Sequence, residues 1–269
     1  MLIDTHCHLD AAEFDADREA VLARAFAAGV DAIVVPAVAP SNHETVRALA
    51  GADRRLGYAL GIHPLFVGQA SDDDLALLRG RVAAAMADDA FVAIGEIGLD
   101  FFVQGHDRER QQRFLAGQLR IARDFELPVL LHVRRAHDLV LAQLRRVRPL
   151  TGIAHAFNAS VQQAGQYLEL GFALGFGGAM TYDRALRIRA LARDLPSHAH
   201  VLETDAPDIA PEWIAHQRNE PAQVARIADA FARLRGLPRE QAIAQTAANA
   251  LRVLPRLARA LGASGADPT

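Results

Sequence analysis

Two histidines, His6 and His8, sit one residue apart at the end of a short apolar run. If that run is a strand, its side chains alternate faces, so His6 and His8 point one way and Cys7 the other. Two imidazoles about 7 Å apart along an extended chain can converge on one cation. Imidazole suits zinc and similar divalent ions. Further candidates stand directly after later apolar runs: His63, Glu96, His132, His155 and Asp205. A carboxylate at Glu96 could bridge two cations, and Asp205 could be a ligand, a general base that orients an attacking water, or both. Hydrolysis by a metal-activated water is the chemistry such a set supports.

Arg134 follows His132 by two positions and shares its face if the strand continues. It is expected either to hold an anionic group such as phosphate or to pair with Asp138 or Glu96. His63 is either a substrate contact or a loop histidine fixed by Pro64. One strand-end histidine alone is more often hydrogen-bonded scaffold than ligand. Several of them gathered with two carboxylates at one rim would be a costly polar cluster, and a metal satisfies them together. The remaining histidines, His43, His106, His137, His198, His200 and His216, fall in loops or helices and are expected at the surface or as caps.

A scaffold must bring these strand ends together. Apolar runs at Leu2–Thr5, Val30–Pro36, Leu56–Ile62, Phe91–Gly95, Leu127–Leu131, Thr151–Ala154, Gly171–Phe176 and Ala199–Leu202 read as strands. Helical patterns cover Asp17–Ala28, His43–Ala50, Asp72–Ala87 with Ser71 as N-cap, Asp107–Phe125, His137–Val147, Ser160–Leu170, Asp183–Asp194, Pro221–Leu234 and Arg239–Leu261. Strand–helix alternation calls for a parallel sheet, and eight repeats fit an α/β chain closed as a (β/α)₈ TIM barrel better than an open sheet. In that fold, functional residues gather at the carboxyl ends of the strands, where all the candidates fall. Residues 1–261 are expected to form a single barrel, followed by a flexible C-terminal tail at 262–269.

Composition narrows the function. The 269 residues are 51% hydrophobic, yet no apolar run is long enough to span a bilayer. No basic segment followed by an apolar run opens the chain, so no signal peptide is expected. Cys7 is the only cysteine, which excludes an intrachain disulfide and fits a reducing cytoplasm. A net charge of −3 argues against coating nucleic acid by bulk electrostatics, leaving a local basic patch as the route to such a partner. The chain has no lysine, so Schiff-base chemistry, a P-loop lysine and a carbamylated lysine bridging two metals are all excluded.

Six segments, in this order, resemble the TatD-type metal-dependent hydrolases: Ile3–Asp10 (IDTHCHLD), Gly61–Pro64 (GIHP), Gly95–Asp100 (GEIGLD), Leu127–Arg134 (LPVLLHVR), Glu203–Pro207 (ETDAP) and Arg218–Pro221 (RNEP). These are amidohydrolase-like barrels, and characterised members act as deoxyribonucleases. The resemblance spans roughly Leu2 to Leu254. It implies a (β/α)₈ barrel with a divalent site built from His6, His8, Glu96, His132, His155 and Asp205. Taken with the residues, the expected activity is DNA cleavage with two cations per chain (Mg²⁺, Mn²⁺ or Zn²⁺), Arg134 and His63 holding the phosphate. Two departures stand out. The family's His-Cys-Phe-Ser/Thr-Gly pattern is here His155-Ala-Phe-Asn-Ala159, and its Asn-Ala-x-x-Phe pattern is here Asn249–Leu254 without the aromatic. One fold hosts many reactions, so an amide, ester or lactone hydrolase of a small molecule is the alternative. A non-catalytic protein with a sealed metal site is a third reading.

Overall fold

The computed structural model describes residues 1–263, so the tail expected at 262–269 lies, from residue 264 on, outside the described residues. The apolar runs form β1 (Ile3–Asp4), β2 (Ala32–Pro36), β3 (Leu56–Leu60), β4 (Phe91–Asp100), β5 (Val129–Arg134), β6 (Gly152–Ala154), β7 (Ala173–Phe176) and β8 (His200–Leu202). Their order in the sheet is their order in the chain, and every consecutive pair is parallel. Between them run α1 (Arg18–Ala27), α2 (His43–Ala52), α3 (Asp74–Ala85), α4 (Arg108–Asp124), α5 (His137–Val147), α6 (Val161–Glu169) and α7 (Leu186–Asp194). After β8 come α8 (Val224–Arg235), α9 (Arg239–Val253) and α10 (Pro255–Ala260). The architecture is a (β/α)₈ TIM barrel.

The first and last strands meet. Thr5 N–H donates to the Leu202 carbonyl at 3.0 Å, and Asp205 N–H to the His6 carbonyl at 2.8 Å. The Asp4 carboxylate reinforces the seam by accepting from Thr204 N–H at 2.9 Å and from its hydroxyl at 2.6 Å. Burial of this carboxyl raises its pKa to about 7, against the hydrogen bonds from Thr204.

Alternation along the strands sorts two apolar cores. Ile33, Val35, Tyr58, Leu131 and Leu174 face the helices, whereas Ala32, Val34, Ala59, Leu130, Ala173 and Val201 fill the lumen. The lumen core continues into Ala250, Val253 and Leu257 of α9 and α10. These helices cross the strand starts: Asn249 donates to the Ser197 and His200 carbonyls, and Arg256 donates to the Phe91 carbonyl. The amino-terminal end is thereby plugged, leaving the carboxyl end for the loops that carry the candidates. Cys7 is fully buried in the helix-facing core.

Four local expectations are corrected. The fourth strand does not stop at Gly95 but runs to Asp100, because β5 keeps pairing with it through Gly98↔His132 and Asp100↔Arg134. Gly98 permits this: a Cβ there would lie 1.8 Å from the His132 carbonyl oxygen, at a φ of +153° that side chains avoid. The third helix starts at Asp74, and Ser71 does not cap it; its N–H donates to the Asp74 carboxylate instead. The long last helix is two, α9 and α10, since Pro255 has no N–H to continue the ladder. His43 and His200 are not surface groups. They are 3% and 0% exposed, His43 with Nε2 2.9 Å from the Gly61 carbonyl oxygen.

Candidate metal centre

Glu96 is the hub of the site. It sits inside β4, 1% exposed, and its two carboxylate oxygens face different groups of imidazoles. Oε2 lies 3.2 Å from His6 Nε2 and 3.3 Å from His8 Nε2. Oε1 lies 2.9 Å from both His132 Nδ1 and His155 Nε2, and 3.4 Å from His63 Nε2. Asp205 enters from beyond β8, its Oδ1 3.6 Å from the Nε2 atoms of both His6 and His8. The structure thus brings His6, His8, His63, Glu96, His132, His155 and Asp205 into one cluster. His63 stands within it rather than out on the rim.

Local geometry explains the convergence. His6 and His8 follow β1 on alternating positions, which turns both Nε2 atoms inward to 3.3 Å apart. The His6 ring also stacks on His155, with centroids 3.9 Å apart and planes 10° from parallel. His132 and Arg134 share the inward face of β5 with Leu130. Backbone at the strand ends bends sharply: Arg135, Ala156 and Asp205 have φ of 54°, 45° and 57°. Left-handed backbone at non-glycine residues costs on the order of 1–3 kcal/mol and clusters at functional sites. The Asp205 turn is held by the bond from its N–H to His6.

Arg134 takes neither of its expected partners. Its Nη1 lies 3.6 Å from Asp100 Oδ2, and its guanidinium stacks over the Phe102 ring at 4.1 Å. Arg135 approaches the same ring at 4.7 Å. Arg134 and Phe102 are both roughly half exposed at the rim.

Two acids have no role in the sequence reading. Asp100 Oδ2 lies 3.0 Å from His132 Nε2, while its Oδ1 accepts from Phe102 and Val103 N–H. Glu96 and Asp100 share a strand face at a spacing of four, a signal visible only once β4 is known to continue. Glu203 is buried behind His155, accepting from Ala156 N–H, with one oxygen lacking any hydrogen-bond partner. Burial pushes its carboxyl up to about 8.

The electrostatics are those of crowded donors. Burial opposes the charge on Glu96, but His63, His155 and His6 outweigh it and hold its pKa well below the carboxylate range. Burial pulls His8 and His155 down, yet Glu96 prevails and holds them at about 9 and about 10. His6, squeezed by burial and by His155, is pushed well below its ordinary value. Burial also lowers His63 to about 4 and raises Asp205.

The donor set fits divalent cations. It consists of nitrogen and oxygen atoms only, a set that suits zinc or manganese. Among the described residues, three groups place their donor atoms within 4.8 Å of one another: His6, His8 and Glu96; His6, His155 and Asp205; and His63, Glu96 and His132. Glu96 Oε2, His6 Nδ1 and His155 Nδ1 are buried without a hydrogen-bond partner. An orphaned carboxylate oxygen between two imidazole nitrogens is what a cation would satisfy.

A parallel barrel carrying this cluster at its carboxyl end defines a metal-dependent hydrolase. The profile of the family described as TatD related DNase matches residues 3–255. The chain belongs to this TatD family. It is 43% identical over 248 residues to the uncharacterized metal-dependent hydrolase YjjV of Escherichia coli K12, covering 92% of this chain and 95% of that protein. The crystal structure of YjjV superimposes with a TM-score of 0.90 at 39% identity, covering 94% of this chain and 98% of that one. Human deoxyribonuclease TATDN3 is 31% identical over 268 residues, covering 95% of each protein. Organophosphorus hydrolase from Deinococcus radiodurans, at 15% identity and a TM-score of 0.65 over 94% of this chain and 92% of that one, shares the fold.

Proposed function

We propose that this chain is a deoxyribonuclease that cleaves phosphodiester bonds with two divalent cations. The observation that carries the reading is the division of labour at Glu96, one oxygen toward His6 and His8, the other toward His132, His155 and His63. Such a shared carboxylate suits a pair of adjacent cations. His6, His8, Glu96, His132, His155 and Asp205 would hold them, and His63 is close enough to join. Bound divalent ions supply Lewis acidity toward the phosphoryl oxygen and the attacking water.

The chain's own residues do the rest. Asp205, whose pKa burial raises and whose Oδ1 lies 3.6 Å from the Nε2 atoms of His6 and His8, orients and deprotonates the water. Arg134 holds a non-bridging phosphate oxygen, leaning on Phe102, whose exposed ring gives a base a surface to stack on. Asp100 keeps His132 in one orientation. The name of the human relative supports DNA as substrate. Arg134 and Arg135, both beside the Phe102 ring, supply local positive charge in a chain whose net charge is −3.

The test is a substrate panel assayed with Mg²⁺, Mn²⁺ and Zn²⁺ in turn. A DNA oligonucleotide should be cleaved with at least one of them, and a neutral ester or lactone poorly. Rapid ester or lactone turnover with an intact oligonucleotide would replace the nuclease by a small-molecule hydrolase.

A further inference from the structure

The loops that follow β6, β7 and β8, with the start of α7, line an open surface cavity of about 650 Å³ that none of the metal-cluster residues lines. Its wall is a tied structure. Tyr182 donates its hydroxyl to the Ala210 carbonyl at 3.0 Å, and Glu212 N–H donates to Thr181 Oγ1 at 2.8 Å. Gly178 lets the two loops touch, since a Cβ there would lie 2.1 Å from the Ile209 carbonyl oxygen. Ile209 holds a φ of +44°, a strained conformation for a β-branched side chain. Its side chain and that of Leu186 remain 37% and 75% exposed.

Two guanidinium groups face the same space. Arg187 donates to the neutral Asn158 Oδ1 at 3.0 and 2.7 Å, and Arg184 lies over the Tyr182 ring at 5.5 Å. Neighbouring Arg189 and Arg193 pair with Asp183 and Asp194. Arg184 and Arg187 have no carboxylate partner among the described residues. Unpaired guanidinium groups beside an aromatic ring and exposed aliphatic side chains suit an anion joined to a flat, weakly polar body.

We infer that this cavity binds one nucleotide unit of the substrate, with Arg184 and Arg187 on its phosphate and Tyr182, Leu186 and Ile209 against its base. The inference rests on the nuclease reading for its substrate class. Asn158 lies three positions beyond His155, and Ile209 four beyond Asp205, so the cavity shares the barrel end of the cluster. Arg134 ends β5 and Phe102 belongs to the loop after β4, farther round the ring. A strand crossing the mouth is therefore gripped on both sides of the scissile bond. The volume falls within the range of about 300–1,000 Å³ usual for small-ligand sites.

The test separates this site from the chemistry. Deoxyadenosine monophosphate is titrated calorimetrically into the wild type and into Arg184→Ala/Arg187→Ala, with chelator present so that no metal contributes. Deoxyadenosine and inorganic phosphate serve as separate arms. The double variant should bind the nucleotide about tenfold more weakly, as expected for losing charge-assisted phosphate contacts. Leu186→Ala should weaken deoxyadenosine more than phosphate. On a DNA oligonucleotide, KM should rise about tenfold in the double variant, with kcat within about twofold. Circular dichroism checks that the exposed substitutions leave the fold intact, and Arg184→Gln provides a milder variant. Undetectable nucleotide binding to the wild type, or equal affinity in wild type and double variant, would overturn the inference. Nucleotide binding that depends on both arginines, in a protein that cleaves no oligonucleotide, would keep the site and discard the nuclease reading.

Discussion

The Nε2 of His6 stands 3.3 Å from the Nε2 of His8, and both are within 3.3 Å of Glu96 Oε2. A neutral imidazole has one donor and one acceptor nitrogen, so this triangle is satisfied by a shared proton or a shared cation. Metal should therefore stabilise the fold. At a thousandfold excess over its Kd, an ion adds about 4 kcal/mol. For a chain of this size that raises Tm by about 10 °C. Calorimetric melts in chelator and in Zn²⁺, Mn²⁺ or Mg²⁺ read the shift, and His6→Ala should abolish most of it. Superimposable melts under all four conditions would rule out a cation at this triangle.

Asp205 and Arg134 should fail differently. Asp205→Asn keeps the size but removes a base and a negative charge, so kcat on an oligonucleotide should drop by about 10²–10⁴-fold with little change in substrate affinity. Arg134→Ala should mainly raise KM, and less so on a neutral ester. No lysine is present to take over the contact. Equal losses on both substrates for Arg134→Ala would make it a prop for Asp100 and Phe102. Full turnover in Asp205→Asn would remove Asp205 from the chemistry.

Asp100 is a positioning residue, reaching the centre only through His132 at 3.0 Å. Asp100→Asn should weaken metal binding by about 10–100-fold, the usual effect of losing such a partner. Equilibrium titration with Zn²⁺ measures it directly, and Asp100→Glu should recover part of the affinity. Wild-type metal affinity in Asp100→Asn, with a lowered Tm, would confine Asp100 to holding the loop at Phe102 and Val103.

His200 makes a prediction about pH. It is fully buried, with ring centroids 5.1 Å from Phe176 and 5.0 Å from Phe231. Burial, and then the nearby Arg235 charge, lowers its pKa to about 4. An unfolded histidine titrates near 6.5. Between those values the unfolded chain takes up a proton that the folded chain refuses, so stability falls as pH drops from about 6.5 toward 4. The loss from this one group reaches about 3 kcal/mol at pH 4. His43 and His137, also lowered to about 4, push the same way. Urea unfolding between pH 4 and pH 7 should show a shallower decline for His200→Leu than for the wild type. Parallel curves would mean that His200 does not titrate on unfolding.

Much of this arrangement is legible before any coordinates. A histidine or acid directly after an apolar run is visible in sequence, and a closed barrel obliges such positions to meet. That suffices to assemble His6, His8, Glu96, His132, His155 and Asp205 at one end. The length of β4 is hidden, because Gly95 and Gly98 interrupt the β pattern; only pairing with β5 carries the strand to Asp100. Arg134 has its partner misassigned for the same reason. The burial of His43 and His200 is hidden differently. Their enclosing groups, Gly61 for one and Phe176 and Phe231 for the other, come from distant segments, and local polarity carries no trace of them.

The seam between Asp4 and Thr204 has a consequence for biosynthesis. His6 and His8 leave the ribosome first, whereas Asp205 and the strand that closes the ring come some two hundred residues later. A nascent chain halted before Thr204 lacks Asp205 and the backbone and side-chain bonds that join β1 to the last strand. Assembly of the full donor set around His6 and His8 is thus tied to completion of the ring. The bond that shuts the barrel also sets the earliest moment at which this cluster is whole.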